Sequence, residues 1–271
     1  MKKRLTDAIV YFVAFLAIQL LVSYLVCFIW LLVEGKSVSE AWGALGGALQ
    51  MDAPKTIVVQ VVYGIVVLWL FVFLGWSRLS NSYLRSKPVG VLTWAVIASL
   101  GSLIPSLAFQ EFMPLPDYSS ELMGQVMDNR WGYLAICIFA PLVEEVVFRG
   151  AILRTLLDGM KNHWVAIALS AVLFAVAHVN PAQMPHAFCI GLLLGWMYYR
   201  TRSIIPGVML HWTNNTAAYV VHTLWPQTDS MNLVDLFGGD YTKVAMAVAF
   251  SLMIFLPALW QLHMRMRPAA K

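Results

Sequence analysis

The chain has 271 residues, 60% hydrophobic and only 12% charged, with a formal net charge of +4 and a mean hydropathy of +0.72. A soluble domain carries about 25% charged residues, so this supply excludes a water-exposed globule and points to an integral membrane protein. The basic residues flank apolar runs instead of clustering on one face, which argues against a nucleic-acid partner.

A membrane-crossing helix needs about 20 mostly apolar residues. Met1 to Arg4 and the run after them resemble a signal peptide. However, the run 8–33 is longer than the roughly 7–15 residues of a secretory core, so it is read as a retained first span. Further apolar runs follow at 56–76, 89–109, 131–157, 164–179, 185–199, 204–225 and 244–262. They predict an all-α, polytopic bundle of about eight transmembrane helices, forming a single integral membrane domain over 1–271. The fifth and sixth runs are short for a bilayer. Cys27, Cys137 and Cys189 lie inside apolar runs with no CxxC pair, so neither a disulfide framework nor a thiolate zinc site is expected.

Lys and Arg gather in cytoplasmic loops. With eight spans and the N-terminus inside, the inner side carries Lys2, Lys3, Arg4, Arg78, Arg85, Lys87, Arg149, Arg154, Lys161, Arg200, Arg202, Arg265, Arg267 and Lys271. The outer side carries only Lys36, Lys55, Arg130 and Lys243. Both termini are therefore expected in the cytoplasm. A short chain without a eukaryotic targeting motif fits a bacterial inner membrane.

Two acids, Glu144 and Glu145, fall inside the fourth run, where a carboxylate costs roughly 2.5–3.5 kcal/mol on insertion scales. Helical spacing turns them about 100° apart. Arg149, four residues on, can fold back onto Glu145, whereas Glu144 needs another partner. The fifth run ends Phe174-Ala-Val-Ala-His178, and the seventh contains His211-Trp-Thr-Asn-Asn215. His211 and Asn215 share a helical face from which Asn214 is turned away.

Each of these has a purely structural reading: a helix-locking ion pair, a protonated buried acid, an interfacial His, polar glue between helices. Together they belong to three apolar helices and must face the bundle interior, because lipid offers them no partner. A carboxylate with an imidazole can deprotonate water, and an imidazole with an amide can donate to the oxyanion of a tetrahedral intermediate. That set hydrolyses peptides without a Ser or Cys nucleophile. The same Glu and His atoms are also a candidate zinc set, although HExxH is absent.

Glu144-Glu145-Val-Val-Phe-Arg149 matches the EExxxR motif, Phe174 to His178 the FxxxH motif and His211 to Asn215 the HxxxN motif of the CAAX-protease and bacteriocin-processing family. The chain thus resembles these CPBP, or abortive-infection, intramembrane endopeptidases of glutamate or metallo type. Residues 191–215, with Gly195, Tyr199, Arg200, Thr201 and Ser203, also look like the family's linker into its last motif. The resemblance covers about 142–215; each motif alone is weak, and three in order at this spacing are specific.

The resemblance implies a helical bundle whose membrane cavity hydrolyses peptide bonds, with a protease core at about 131–225. Carried over, Glu144 and His178 activate water, His211 and Asn215 form the oxyanion site, and Glu145 and Arg149 shape it. No cofactor is required, and zinc on Glu144, His178 and His211 is the alternative. The implied partners are membrane lipids and a peptide or protein substrate, with a lipidated protein or a leader peptide among the family's classes. Two rivals use the same buried residues: a proton- or ion-coupled transporter, and a non-proteolytic immunity or scaffold protein.

Four histidines are left out of the site. His163 and His263 read as interfacial and His186 as structural, while His222 stands some 16 Å along the helix from His211, lining an access path at most. The simple topology also leaves a mismatch of depth. Glu144 falls mid-membrane, His178 nearer the outside and His211 nearer the inside.

Overall fold

The computed structural model describes residues 2–47, 49–78, 81–85, 87–227 and 231–268; Lys271, one of the charges used for orientation, lies outside them. Among the described residues the chain is helical and contains no strand. Helices α1 (Lys2–Val33), α2 (Val38–Ala44), α3 (Ala53–Phe73), α4 (Asn81–Arg85), α5 (Val89–Glu111) and α6 (Ser120–Asp128) come first. A continuous helix, α7, then covers 134–159 and alternates π and α turns. It is followed by α8 (His163–Ala177), α9 (Met184–Thr201), α10 (Ile205–Leu224), α11 (Leu233–Leu236) and α12 (Tyr241–Arg265).

Helix starts follow local chemistry. Ser37 and Glu40 form a reciprocal capping box on α2. The side chains of Asp52, Asn162 and Asp240 accept from the first free amides of α3, α8 and α12.

Every apolar run read from the sequence becomes a helix, but the eight are not alike. Four of them, α1, α3, α5 and α12, are long and apolar enough to cross a membrane. Their outward faces carry exposed large apolar side chains, among them Leu21 and Leu25 on α1 and Phe250 and Met253 on α12. Contiguous apolar surface of this kind needs lipid, and the chain is an integral membrane protein. The other four, α7 to α10, are where the buried polar residues sit. The fifth run is shorter than its apolar letters suggest, because α8 stops after 15 residues and His178 is its C-cap.

The centre of the bundle is α7. All nine residues from Glu145 to Leu153 are buried, so this stretch of the helix is enclosed on every side. Tyr63, Val67 and Phe71 from α3, Phe15 from α1, Phe174 from α8 and Leu194 from α9 share its core. Between lipid-embedded helices there is little hydrophobic gain, so association rests on close van der Waals fit and small residues. At the crossing of α5 and α12, a Cβ on Gly101 would meet the Phe255 backbone nitrogen at 2.9 Å.

Backbone cannot yield as a side-chain tip can. Gly101→Ala is therefore expected to lower the thermal midpoint in detergent, at an overpacking cost of about 1–3 kcal/mol. Gly124→Ala on α6, where a Cβ meets nothing within 4 Å, should not lower it. Equal midpoints for the two variants would refute the tight α5–α12 crossing.

Candidate active site

Helix α7 owes its irregular turns in part to Pro141. Proline has no N–H to donate. The amide of Ala140 bonds to the Ala135 carbonyl, five residues back, and in that register the Ile136 carbonyl would look to Pro141 for its donor. It receives instead the Asn215 side-chain amide of α10, Nδ2 to O 3.0 Å. A second π stretch runs from Glu145 to Leu153, and the Arg154 amide reaches the Arg149 carbonyl. Short π insertions of this kind occur frequently at functional sites.

The two acids of α7 have different surroundings. Glu145 is fully buried and its Oε1 accepts from Arg149 Nη1 at 2.8 Å, as the four-residue spacing predicts. Arg149 is buried as well, donates to the Gly191 carbonyl of α9 at 3.3 Å and lies 4.3 Å from the centre of the Phe174 ring. Glu144 keeps 20% of its side-chain surface. His211 of α10 stands between the two acids, with Nδ1 3.3 Å from Glu145 Oε1 and Nε2 3.7 Å from Glu144 Oε2. The depth mismatch is thus removed for His211, which lies level with both carboxylates.

One glycine makes this possible. A Cβ on Gly207 would sit 2.6 Å from Glu145 Oε2, so α10 can approach the buried carboxylate only where it has no side chain.

His178 lies beyond an aromatic spacer. Its Nδ1 is 2.9 Å from the Phe174 carbonyl, so the proton sits on Nδ1 and Nε2 keeps its lone pair, the tautomer a base needs. The Phe174 ring is edge-on to both imidazoles, with centroids 4.9 Å from His178 and 5.8 Å from His211. The segment after His178 is clasped from above. Asn180 donates to Asp117 Oδ1 at 2.9 Å and to Ser119 Oγ at 2.7 Å, and accepts from the Tyr118 amide. Partial burial pushes the Asp117 carboxyl up, but hydrogen bonds from Ser119, Asn180 and Ser120 outweigh it and hold it below the usual carboxylate range.

The expected pairing of His211 with Asn215 is not seen. Asn215 is taken up by Ile136 and accepts from Asn214 Nδ2 at 3.3 Å, while His211 faces the acids. An amide carries two donors, so one Asn215 N–H remains for a ligand. Three neighbours of the cluster were not read from the sequence. Tyr63 of α3 is buried in the core around α7. Phe174 was seen only as a motif letter, and His186, read as structural, contacts Ser106 and Asn214. His222 is held by Asp128 of α6 at 3.0 Å, while His163 stacks on Tyr199 and His263 on Trp196. Among the described residues no three His, Cys, Asp or Glu side chains are grouped to hold a metal ion. Glu144, His178 and His211 therefore do not fit a zinc centre in this arrangement.

The comparisons with known proteins agree with the motif reading. Residues 127–217, which contain all three motifs, match the family described as Rce1-like, type II CAAX prenyl endopeptidase Rce1-like. Over 97 residues the chain is 27% identical to the membrane-embedded CAAX protease MroQ of Staphylococcus aureus (strain USA300). That stretch is 34% of this chain and 39% of the relative, so about two fifths of the relative's length is matched. No solved structure matches. The resemblance to the CAAX-protease family is thereby borne out for the segment that carries the site.

Because Glu145 is held by two partners and abuts Gly207, Gly207→Ala is expected to displace its carboxylate and lower the thermal midpoint. The cost should be about 1–3 kcal/mol, in the range of core overpacking. A Gly207→Ala protein that melts with the wild type would show that α10 does not approach Glu145 this closely.

Proposed function

We propose that the protein is an intramembrane endopeptidase in which Glu144 activates a water molecule for attack on a peptide carbonyl. The observation that carries this reading is the inequality of the two acids around His211. Glu145 is fully buried and occupied by Arg149 and His211, whereas Glu144 is adjacent, partly exposed and 3.7 Å from the same imidazole. Of the pair, Glu144 is the one that keeps exposed side-chain surface.

In this scheme Glu144, assisted by His178, takes a proton from water as its oxygen bonds to the carbonyl carbon. Hydrogen bonds from His211 and from the spare N–H of Asn215 receive the oxyanion. The C–N bond then breaks and Glu144 returns the proton to the leaving amine. Glu145 and Arg149 hold His211 in place. The family match over 127–217 and the likeness to MroQ support peptide-bond chemistry. The proposed substrate is a membrane-delivered peptide or protein, lipidated or a leader segment, and the proposed setting is a bacterial inner membrane. No cofactor enters the scheme.

Purified protein in liposomes, challenged with a peptide library, tests it. Glu144→Gln should lose turnover by orders of magnitude with an unchanged thermal midpoint, while Glu145→Gln should lose both. Asn215→Ala should lower turnover by roughly 10²–10³, the value of one oxyanion donor, and a chelator should leave the wild type active. Near-normal turnover of Glu144→Gln would refute the general-base assignment. Activity lost to a chelator and restored by zinc would make Glu144, His178 and His211 ligands instead.

The eight-span arrangement with both termini inside is tested by single cysteines in a cysteine-free background. Cysteines at Ser39 and Tyr118 should react with an impermeant thiol reagent in intact cells, and one at Asn162 should not. The reverse pattern would invert the topology.

A further inference from the structure

Beside the proposed site lies a polar chain of which the scheme above uses only Asn215. His186, one turn into α9, has Nδ1 against Ser106 Oγ of α5. Its Nε2 is 3.4 Å from Asn214 Nδ2 of α10, and Asn214 Nδ2 is also 3.3 Å from Asn215 Oδ1. Asn215 Nδ2 then reaches the Ile136 carbonyl of α7. Four helices are joined through one line of hydrogen bonds.

The directions in this line follow from donor and acceptor counts. A neutral imidazole has one donor and one acceptor nitrogen, and a carboxamide nitrogen has two donors. Asn214 Nδ2 faces two acceptors, His186 Nε2 and Asn215 Oδ1, and spends one hydrogen on each. His186 therefore carries its proton on Nδ1 and donates it to Ser106 Oγ. The buried Asn214 Oδ1 has no partner, so the orientation of this amide is set by its nitrogen. Asn215 is consequently fixed at both ends: its oxygen by Asn214, its nitrogen by Ile136. An amide free to flip would present oxygen, not N–H, to a developing oxyanion for part of the time.

We propose that His186 is a positioning residue for hydrolysis, anchored by Ser106 and acting through Asn214 to hold the Asn215 carboxamide with its nitrogen toward the oxyanion. The proposal rests on the proteolytic reading above. It assigns His186 no contact with substrate.

The test is a double-mutant cycle on the full chain in liposomes, using the best-cleaved member of the peptide library. His186→Leu should lower kcat by up to about 10²-fold, the scale of a misplacement of about 1 Å, with KM little changed. In an Asn215→Ala background, where there is no amide left to orient, the same substitution should cost almost nothing further. His186→Gln, which keeps an acceptor near the Nε2 position, should recover part of the loss. Ser106→Ala, which removes the anchor without emptying the core, should show the same dependence on Asn215 and carries the test if His186→Leu does not fold.

Equal losses of kcat in the two backgrounds, or a loss confined to the thermal midpoint, would overturn the positioning role while leaving the protease reading intact. A wild type that cleaves no library member overturns both.

Discussion

The buried ion pair between Glu145 and Arg149 is the constraint from which the rest of the arrangement follows. Both side chains are withdrawn from solvent at the centre of the bundle, and removing one partner of such a pair typically costs about 3–5 kcal/mol. Neither group can be left with a single neighbour. Arg149 also reaches the Gly191 carbonyl and the face of Phe174, and Glu145 shares its Oε1 with His211. Three helices are thereby fixed against α7 by one pair of charges. Phe174 is edge-on to both His178 and His211, so the cation under its ring is tied indirectly to the placement of both imidazoles.

The face of α10 that meets α7 is built to the same constraint. Gly207, His211 and Asn215 recur every four residues and form one stripe. Gly207 meets Glu145, His211 meets both acids, and Asn215 meets Ile136. Further along, Thr216 reaches Tyr133, the residue before α7, and His222 reaches Asp128 at the end of α6. The two helices run antiparallel with polar contacts at intervals along their length. In lipid such contacts are specific because few alternative partners exist.

Much of this was legible in the sequence, for identifiable reasons. Among the described residues each of the eight apolar runs is a helix, because sustained apolar stretches of this length favour helix over strand. The Glu145–Arg149 pair was legible because a four-residue spacing is a local property. The partner of Asn215 was not. Predicting Ile136 required knowing that α7 shifts to π turns before Pro141, a register that the proline alone does not dictate. His186 was passed over for a related reason. Its partners, Ser106 and Asn214, lie on α5 and α10, and no spacing within one helix connects them. The level of His211 relative to the acids was left open, because rise along separate runs does not say how the helices are set against one another.

The division of the helices into two kinds gives the site its physical character. Those that satisfy the membrane on length and apolarity, α1, α3, α5 and α12, contribute mostly surface and support. The shorter or more polar α7 to α10 contribute the charges, and they tolerate them because other helices cover much of their surface. The hydrolysis proposed above needs water at one carboxylate and dryness around the groups that orient it. Adjacent residues on a helix face different directions, so the pair Glu144–Glu145 meets both needs with two consecutive letters. One acid is turned inward to hold Arg149 and His211, and the other is turned toward the less enclosed side. In the proposed scheme, separating the roles this way keeps the structural charge from competing for the water, and adjacency supplies a separation that a gap of four residues, which would put both acids on the same face, would not.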